Sequence, residues 1–196
     1  MYTSSRKRGG RILKKTIKIV LIISLLLIMN CGILVNAVQA VEGEQIKIYT
    51  KGYFPRIIRN NGIIIKTAHA VYEKDGKEYP VYCLNRELHG VGEYIATYDV
   101  TDQGKITDLG LWRVIINGYP YKTIEQLGVA NEGEAYMATK QSIYCYIYNT
   151  GTEGYSAIDE AGSRVINAMN KILENAKNST ESFEDQGIEV IKDEKW

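Results

Sequence analysis

The sequence predicts an α+β fold, an antiparallel β-sheet or barrel-like portion followed by a helical subdomain of about four helices. Two observations carry this. From Val41 to about Tyr98 apolar residues alternate with period two, punctuated by the hairpin signals Asn60-Asn61-Gly62 and Asp75-Gly76. From Thr107 the apolar period lengthens to that of a helix, with stops at Gly118 and Gly128. Strands first and helices afterwards, without alternation, argue against a parallel sheet.

Taken in order, "EQIKIYT" alternates as a strand, and "RIIRNNGIIIKTAHAVY" holds two β-branched runs around a turn. "AVYEKDGKEYPVYCL" repeats the device, so Cys83 falls near the end of a strand that follows a tight turn. Pro80 cannot donate a ladder hydrogen bond, which places that strand at an edge or Pro80 at a strand start. "NRELHGVGEY" reads as a loop and "ATYDVTDQGKITD" as a polar connection.

Leu111, Val114 and Ile115 then share a helical face that ends at Gly118, with Pro120 beyond. Thr123 and Gln126 have capping-box spacing before Gly128, and Asn131 is the N-cap of a third helix with Glu134 three residues on. "SAIDEAGSRVINAMNKILENAKN" is a fourth, its buried stripe running from Ile158 through Val165, Met169 and Ile172 to Ala176. Residues 179–196 are a polar tail or a truncated final strand.

The first forty residues stand apart. A basic, acid-free "MYTSSRKRGGRILKKTIK" precedes an apolar run and the small-residue end "VNAVQA", the pattern of a secretory signal cleaved after Ala40, or after Ala37. An uncleaved membrane anchor is the alternative, and Asn30 before Cys31 argues against a lipoprotein site. The whole chain has a formal charge of +1, and losing seven basic residues with the signal leaves −6. A mildly acidic exported domain does not suit nucleic acid or an anionic membrane. Membrane contact is then expected only through the signal segment, if uncleaved.

No phosphate loop, dinucleotide fingerprint or zinc-like spacing is present, so neither a cofactor nor a metal is expected, and His69 and His89 are isolated. With Cys31 removed, Cys83 and Cys145 remain. Outside the cytoplasm two cysteines suggest a disulfide, Cys83–Cys145. A secreted cysteine hydrolase pairing Cys83 with His89 is a further reading.

The combination of "VYCLN" after a hairpin with "RVIINGYP" and "EAYMATKQSIYCYIYN" on helices resembles the thioester domains of Gram-positive surface adhesins. The resemblance runs from about Val41 to Asn178, and the helix pattern and the "NGYP" stop are its specific parts. In that family a strand cysteine, preceded by an aromatic residue, is joined to a helix glutamine in a pattern like Ala-Thr-Gln-x-Ala-Ile-Trp. Thiolate attacks the carboxamide carbon, ammonia leaves, and an outside amine later opens the acyl–sulfur link.

The resemblance implies a single-use covalent trap rather than a turnover enzyme, with Cys83 as the sulfur and Gln141 as the acyl partner. It implies a surface or host protein presenting a lysine amine as the partner, and a cell-surface location. Setting Ala138-Thr139 and Ile143-Tyr144 on the family pattern, however, puts Lys140 at the glutamine position. Gln141 follows one residue later, about 100° around a regular helix, and a local bulge would restore its register. Gln141 and Cys145 lie one turn apart on one face, so the Cys83–Cys145 disulfide of a noncovalent module of the same fold stays open. The chain ends at Trp196 without a sorting motif or stalk, as expected of a fragment or truncated product.

Overall fold

The computed structural model describes residues 45–53, 56–87, 96–99, 102–182 and 189–192. The expected signal segment with Cys31, and the loop that carries His89, lie outside these residues.

Strand β1 (Gln45–Tyr53) is flanked by β4 (Ala68–Lys74) and β6 (Ala96–Asp99), and β5 (Lys77–Pro80) lies beyond β4, giving the antiparallel order β5-β4-β1-β6. The β4–β5 turn is built as its sequence requires: Asp75 and Gly76 have φ of +52° and +72°, the left-handed pair that matches the twist of a two-residue hairpin. Val71 then pairs with Pro80 at the sheet margin, where the missing N–H costs nothing. A three-stranded sheet places β2 (Ile58–Asn60) between β3 (Ile63–Ile64) and β8 (Tyr155–Ala157). Two further strands, β7 (Asp102–Lys105) and β9 (Glu189–Lys192), pair with each other.

The antiparallel sheets expected ahead of the helices are present as separate sheets, and among the described residues none closes into a barrel. One sequence expectation needs correction here. The "polar connection" contains β6 and β7, because pairing with β1 and β9, remote in sequence, supplies the backbone partners that local composition did not advertise.

Four helices follow: α1 (Leu109–Ile116), α2 (Ile124–Leu127), α3 (Glu132–Ile147) and α4 (Glu160–Asn178). Each begins at a side-chain cap: Asp108, Thr123 in a complete capping box with Gln126, Asn131, and Asp159. The Asp159 cap explains a boundary shift. Tyr155–Ala157 is recruited as a strand against β2, Ile158 is exposed, and the buried stripe of α4 starts only with Gly162 and Val165.

The core lies between α1, α3 and α4, where Trp112, Val114, Met137, Ile143, Val165, Met169 and Ile172 are all buried. Each such side chain contributes about 1.5–3 kcal/mol relative to exposure. This packing makes α3 the fixed axis against which the cysteine segment is placed.

Candidate functional site

Four residues of α3, spaced one turn apart, form a single stripe: Tyr136, Lys140, Tyr144 and Tyr148, the last being the C-cap. The chain leaving β5 lies along it. At one end the buried Tyr136 hydroxyl donates to the Val81 carbonyl at 2.7 Å, and its ring stacks on Tyr82 with centroids 4.8 Å apart. At the other end the Tyr148 hydroxyl donates to Asn85 Oδ1 at 3.2 Å and accepts from the Arg86 amide at 3.1 Å. The Arg86 guanidinium sits 3.9 Å above the Tyr148 ring.

Those two anchors determine where Cys83 falls. The segment bends at Leu84 and turns at Arg86, and Cys83 falls between Tyr82, stacked on Tyr136, and Asn85, held by Tyr148, which places it along the part of the stripe that carries Lys140 and Tyr144. The electrostatics agree with that placement. Burial first, and then the Cys83 sulfur, hold the Tyr144 hydroxyl protonated far above the usual phenol range. Burial pushes the Lys140 amine below the usual lysine range, opposed by the Cys83 sulfur. The Lys140 Nζ lies 6.0 Å from the ring centroids of both Tyr136 and Tyr144. Cys83 itself is half-buried, and its thiol donates to the Asn85 carbonyl at 3.0 Å.

Gln141 belongs to another face. It is buried, its Nε2 donates to Thr67 Oγ1 at 3.3 Å, and its Oε1 accepts from the Tyr155 hydroxyl at 3.0 Å. Carboxamide and hydroxyls thus satisfy one another in a setting where an unpaired amide would cost about 1–3 kcal/mol. Cys145, one turn on, is buried beside the same Tyr155; burial pushes its thiol up, while hydrogen bonds with Tyr155 and Thr150 pull the other way. Cys83 and Cys145 both stand as free thiols, and among the described residues none that partners one also partners the other. The structure therefore brings Cys83 to Lys140, and Gln141 to Cys145.

Two features escaped the sequence reading. His69 is buried and stacks on the opposite side of Tyr136, centroids 4.4 Å apart, so His69, Tyr136 and Tyr82 form one column; burial lowers the imidazole pKa. Thr139 Oγ1 accepts from the Tyr119 amide at 2.8 Å, so the "NGYP" stop and the "ATK" stretch are hydrogen-bonded to each other. Neither long-range contact has a local signature. The signal available was the clustering of tyrosines at positions 136, 144 and 148.

Tyr136→Phe is expected to leave the Val81 carbonyl without its donor, costing about 1 kcal/mol while keeping the ring column. The Cys83 thiol should then alkylate faster with iodoacetamide in the folded protein. An unchanged alkylation rate would show that the hydroxyl does not pin the segment.

Among the described residues no group of His, Cys, Asp and Glu is placed to hold a metal, and no helix is long and apolar enough to cross a membrane. A family model described as thioester domain matches residues 80–178. Among solved structures, the Bacillus anthracis TIE protein is similar with a TM-score of 0.57 and 25% identity, over 72% of this chain and 25% of that one. The thioester domain of the Enterococcus faecium TIE86 protein is similar in fold, with a TM-score of 0.54 and 22% identity over 74% of this chain and 54% of that one. This chain thus spans about a quarter and just over half of those two. None of the curated proteins compared matches it. Half the chain, including the whole stripe and the cysteine segment laid along it, falls inside the matched model, and the chain belongs to the thioester-domain family.

Proposed function

We propose that the chain is the attachment domain of an exported surface protein, in which Cys83 is kept as a thiol and the half-buried part of the stripe around it, Lys140, Tyr144 and Tyr148, is the contact surface for a partner protein. Residues 1–40 direct export, residues 41–178 form the attachment domain, and residues 179–196 supply its final strand. The observation that carries the reading is the seating of Cys83 opposite Lys140. A lysine offers no carbonyl carbon to a thiolate, so the group that faces the sulfur is an amine where the family pattern has an acyl donor.

Family membership favours a second reading, the internal bond itself, made here between Cys83 and Gln141 and opened by a partner's lysine amine. That reading requires Gln141 to give up Thr67 and Tyr155 and to turn about 100° around α3, at a cost set by the two hydrogen bonds it leaves. In both readings the domain acts by attachment and not by turnover.

The test is the intact mass of the secreted, unreduced domain, before and after methylamine and after reductant. The thiol reading expects the full calculated mass, unchanged by either treatment. A deficit of one ammonia, replaced by a methylamine adduct, would establish an internal thioester with Gln141 or another glutamine as acyl donor and overturn it. A deficit of two hydrogens cancelled by reductant would establish a Cys83–Cys145 disulfide and overturn it equally.

A further inference from the structure

Two nucleophiles face each other on a half-buried surface that the family's chemistry would have furnished with one nucleophile and one electrophile. The Val81–Arg86 segment is pinned to α3 at Tyr136 and at Tyr148, which leaves Cys83 over the turn that carries Lys140 and Tyr144. No carboxylate forms an ion pair with Lys140 among the described residues; its neighbours are the Tyr136 and Tyr144 rings and the Cys83 sulfur. Both Cys83 and Lys140 keep part of their surface open to a reagent.

We propose that Cys83 and Lys140 form an acyl-acceptor pair, in which Cys83 takes an acyl group from a thioester donor and passes it to Lys140 as a permanent amide. The first step is exchange: the Cys83 sulfur attacks the donor carbonyl, the donor's thiol departs, and the proton lost by Cys83 leaves with it. In the second step the Lys140 nitrogen attacks the new acyl carbon, the carbon–sulfur bond breaks, and one amine proton passes to Cys83. The thiol is regenerated, the amide is formed, and no oxidant or reductant is consumed.

Each residue has a reason to be there. A cysteine sulfur exchanges with thioesters far faster than an amine attacks them, since thiolate is the stronger nucleophile at neutral pH. Holding the amine over the acylated sulfur makes the transfer intramolecular, where effective concentrations far exceed anything in solution. Burial that lowers the lysine pKa raises the fraction of neutral, reactive amine. Tyr144, held protonated by burial and by the neighbouring Cys83 sulfur, supplies a donor beside the acyl oxygen. The substrate class is an acyl thioester, and the polarity is the reverse of the family's trap: this domain receives the acyl group.

The inference rests on Cys83 being a thiol, so the intact mass of the untreated chain is the first arm. An ammonia deficit there overturns the thiol reading, and the inference with it. With the full mass present, the chain is treated with the small thioester S-acetyl-N-acetylcysteamine at neutral pH and its adduct mapped by peptide fragmentation. The expected result is one acetyl group on Lys140, resistant to hydroxylamine, formed at least tenfold faster than on other lysines. Cys83→Ser should remove that advantage, and Lys140→Arg should accumulate a hydroxylamine-labile adduct on Cys83.

Reversibly capping Cys83 of the unsubstituted chain with a small disulfide should give the same loss as Cys83→Ser, without depending on how a variant folds. Acylation of Lys140 at equal rates with Cys83 capped, or an adduct that stays on Cys83 in the unsubstituted chain, overturns the transfer. A parallel incubation with a protein domain that carries an internal thioester separates the donors. A cross-linked product at Lys140 identifies a protein donor, and reaction with the small probe alone identifies a low-molecular-weight one.

Discussion

Lys140→Gln is expected to fold into a protein lighter than its calculated mass by one ammonia, and to gain a methylamine adduct when that amine is added. The substitution puts a carboxamide on the stripe that Cys83 faces, between Tyr136 and Tyr144 and away from the Thr67–Tyr155 clasp of Gln141. It also removes an amine from a half-buried site where burial disfavours its charge. Thiolate, carboxamide carbon and a tyrosine hydroxyl would then stand together, which is the set the internal acyl–sulfur bond needs. Gln141 stays in place in this variant, so a deficit that the unsubstituted chain lacks reports on position 140. Full calculated mass together with a Cys83 that still alkylates in the folded variant would sink the assignment of position 140 as the one opposite the sulfur.

The largest stability loss is expected from Arg164→Ala. Glu134 lies buried near the start of α3, and its two oxygens accept from Arg164 on α4 at 2.8 and 2.9 Å and from the Ala130 amide at 3.0 Å. The carboxylate accepts from the Asn131 side-chain amide at 3.4 Å and also joins the two core helices. Removing the guanidinium leaves the Glu134 carboxylate, in its buried position, with only the Ala130 amide and Asn131 Nδ2 as donors, which destabilises the packing of α3 on α4.

The pH dependence has a definite sign. Arg164 first, and then the Ala130 amide, hold the Glu134 carboxyl below the usual glutamate range, against the effect of burial. The stabilisation is therefore fully present above the unfolded value of about 4.3 and is lost as pH falls through the lower folded value. Urea midpoints at pH 7 and pH 3 would check this: the two proteins should differ widely at the first pH and converge toward the second. An equal difference at both would assign the loss to packing rather than to charge.

Legibility tracked locality. The Asn61-Gly62 and Asp75-Gly76 turns, the edge placement of Pro80, the Thr123 capping box and the Asn131 cap are each decided within four residues, and each is found. Strands β6, β7 and β8 were not readable, because Thr97, Gln103 and Ser156 become strand residues only through Lys47, Ile191 and Arg59, all far away in sequence. The site divides in the same way. That Lys140 and Gln141 point to different faces follows from helix geometry alone, and so does the pairing of Gln141 with Cys145. That Thr67 and Tyr155 would hold the carboxamide, or that Tyr136 would grip Val81 from 55 residues away, depends on tertiary packing with no sequence period.

The two pins of the Val81–Arg86 segment also have a mechanical meaning. Because the segment runs alongside α3 and is fastened at both ends, a pull along the helix axis loads the Tyr136–Val81 and Tyr148–Asn85 bonds at the same moment. Bonds loaded in shear must break together, whereas bonds peeled from one end break one at a time. Tension carried along α3 would thus leave Cys83 clamped over Lys140, while the same force applied across the helix would open that contact from its end.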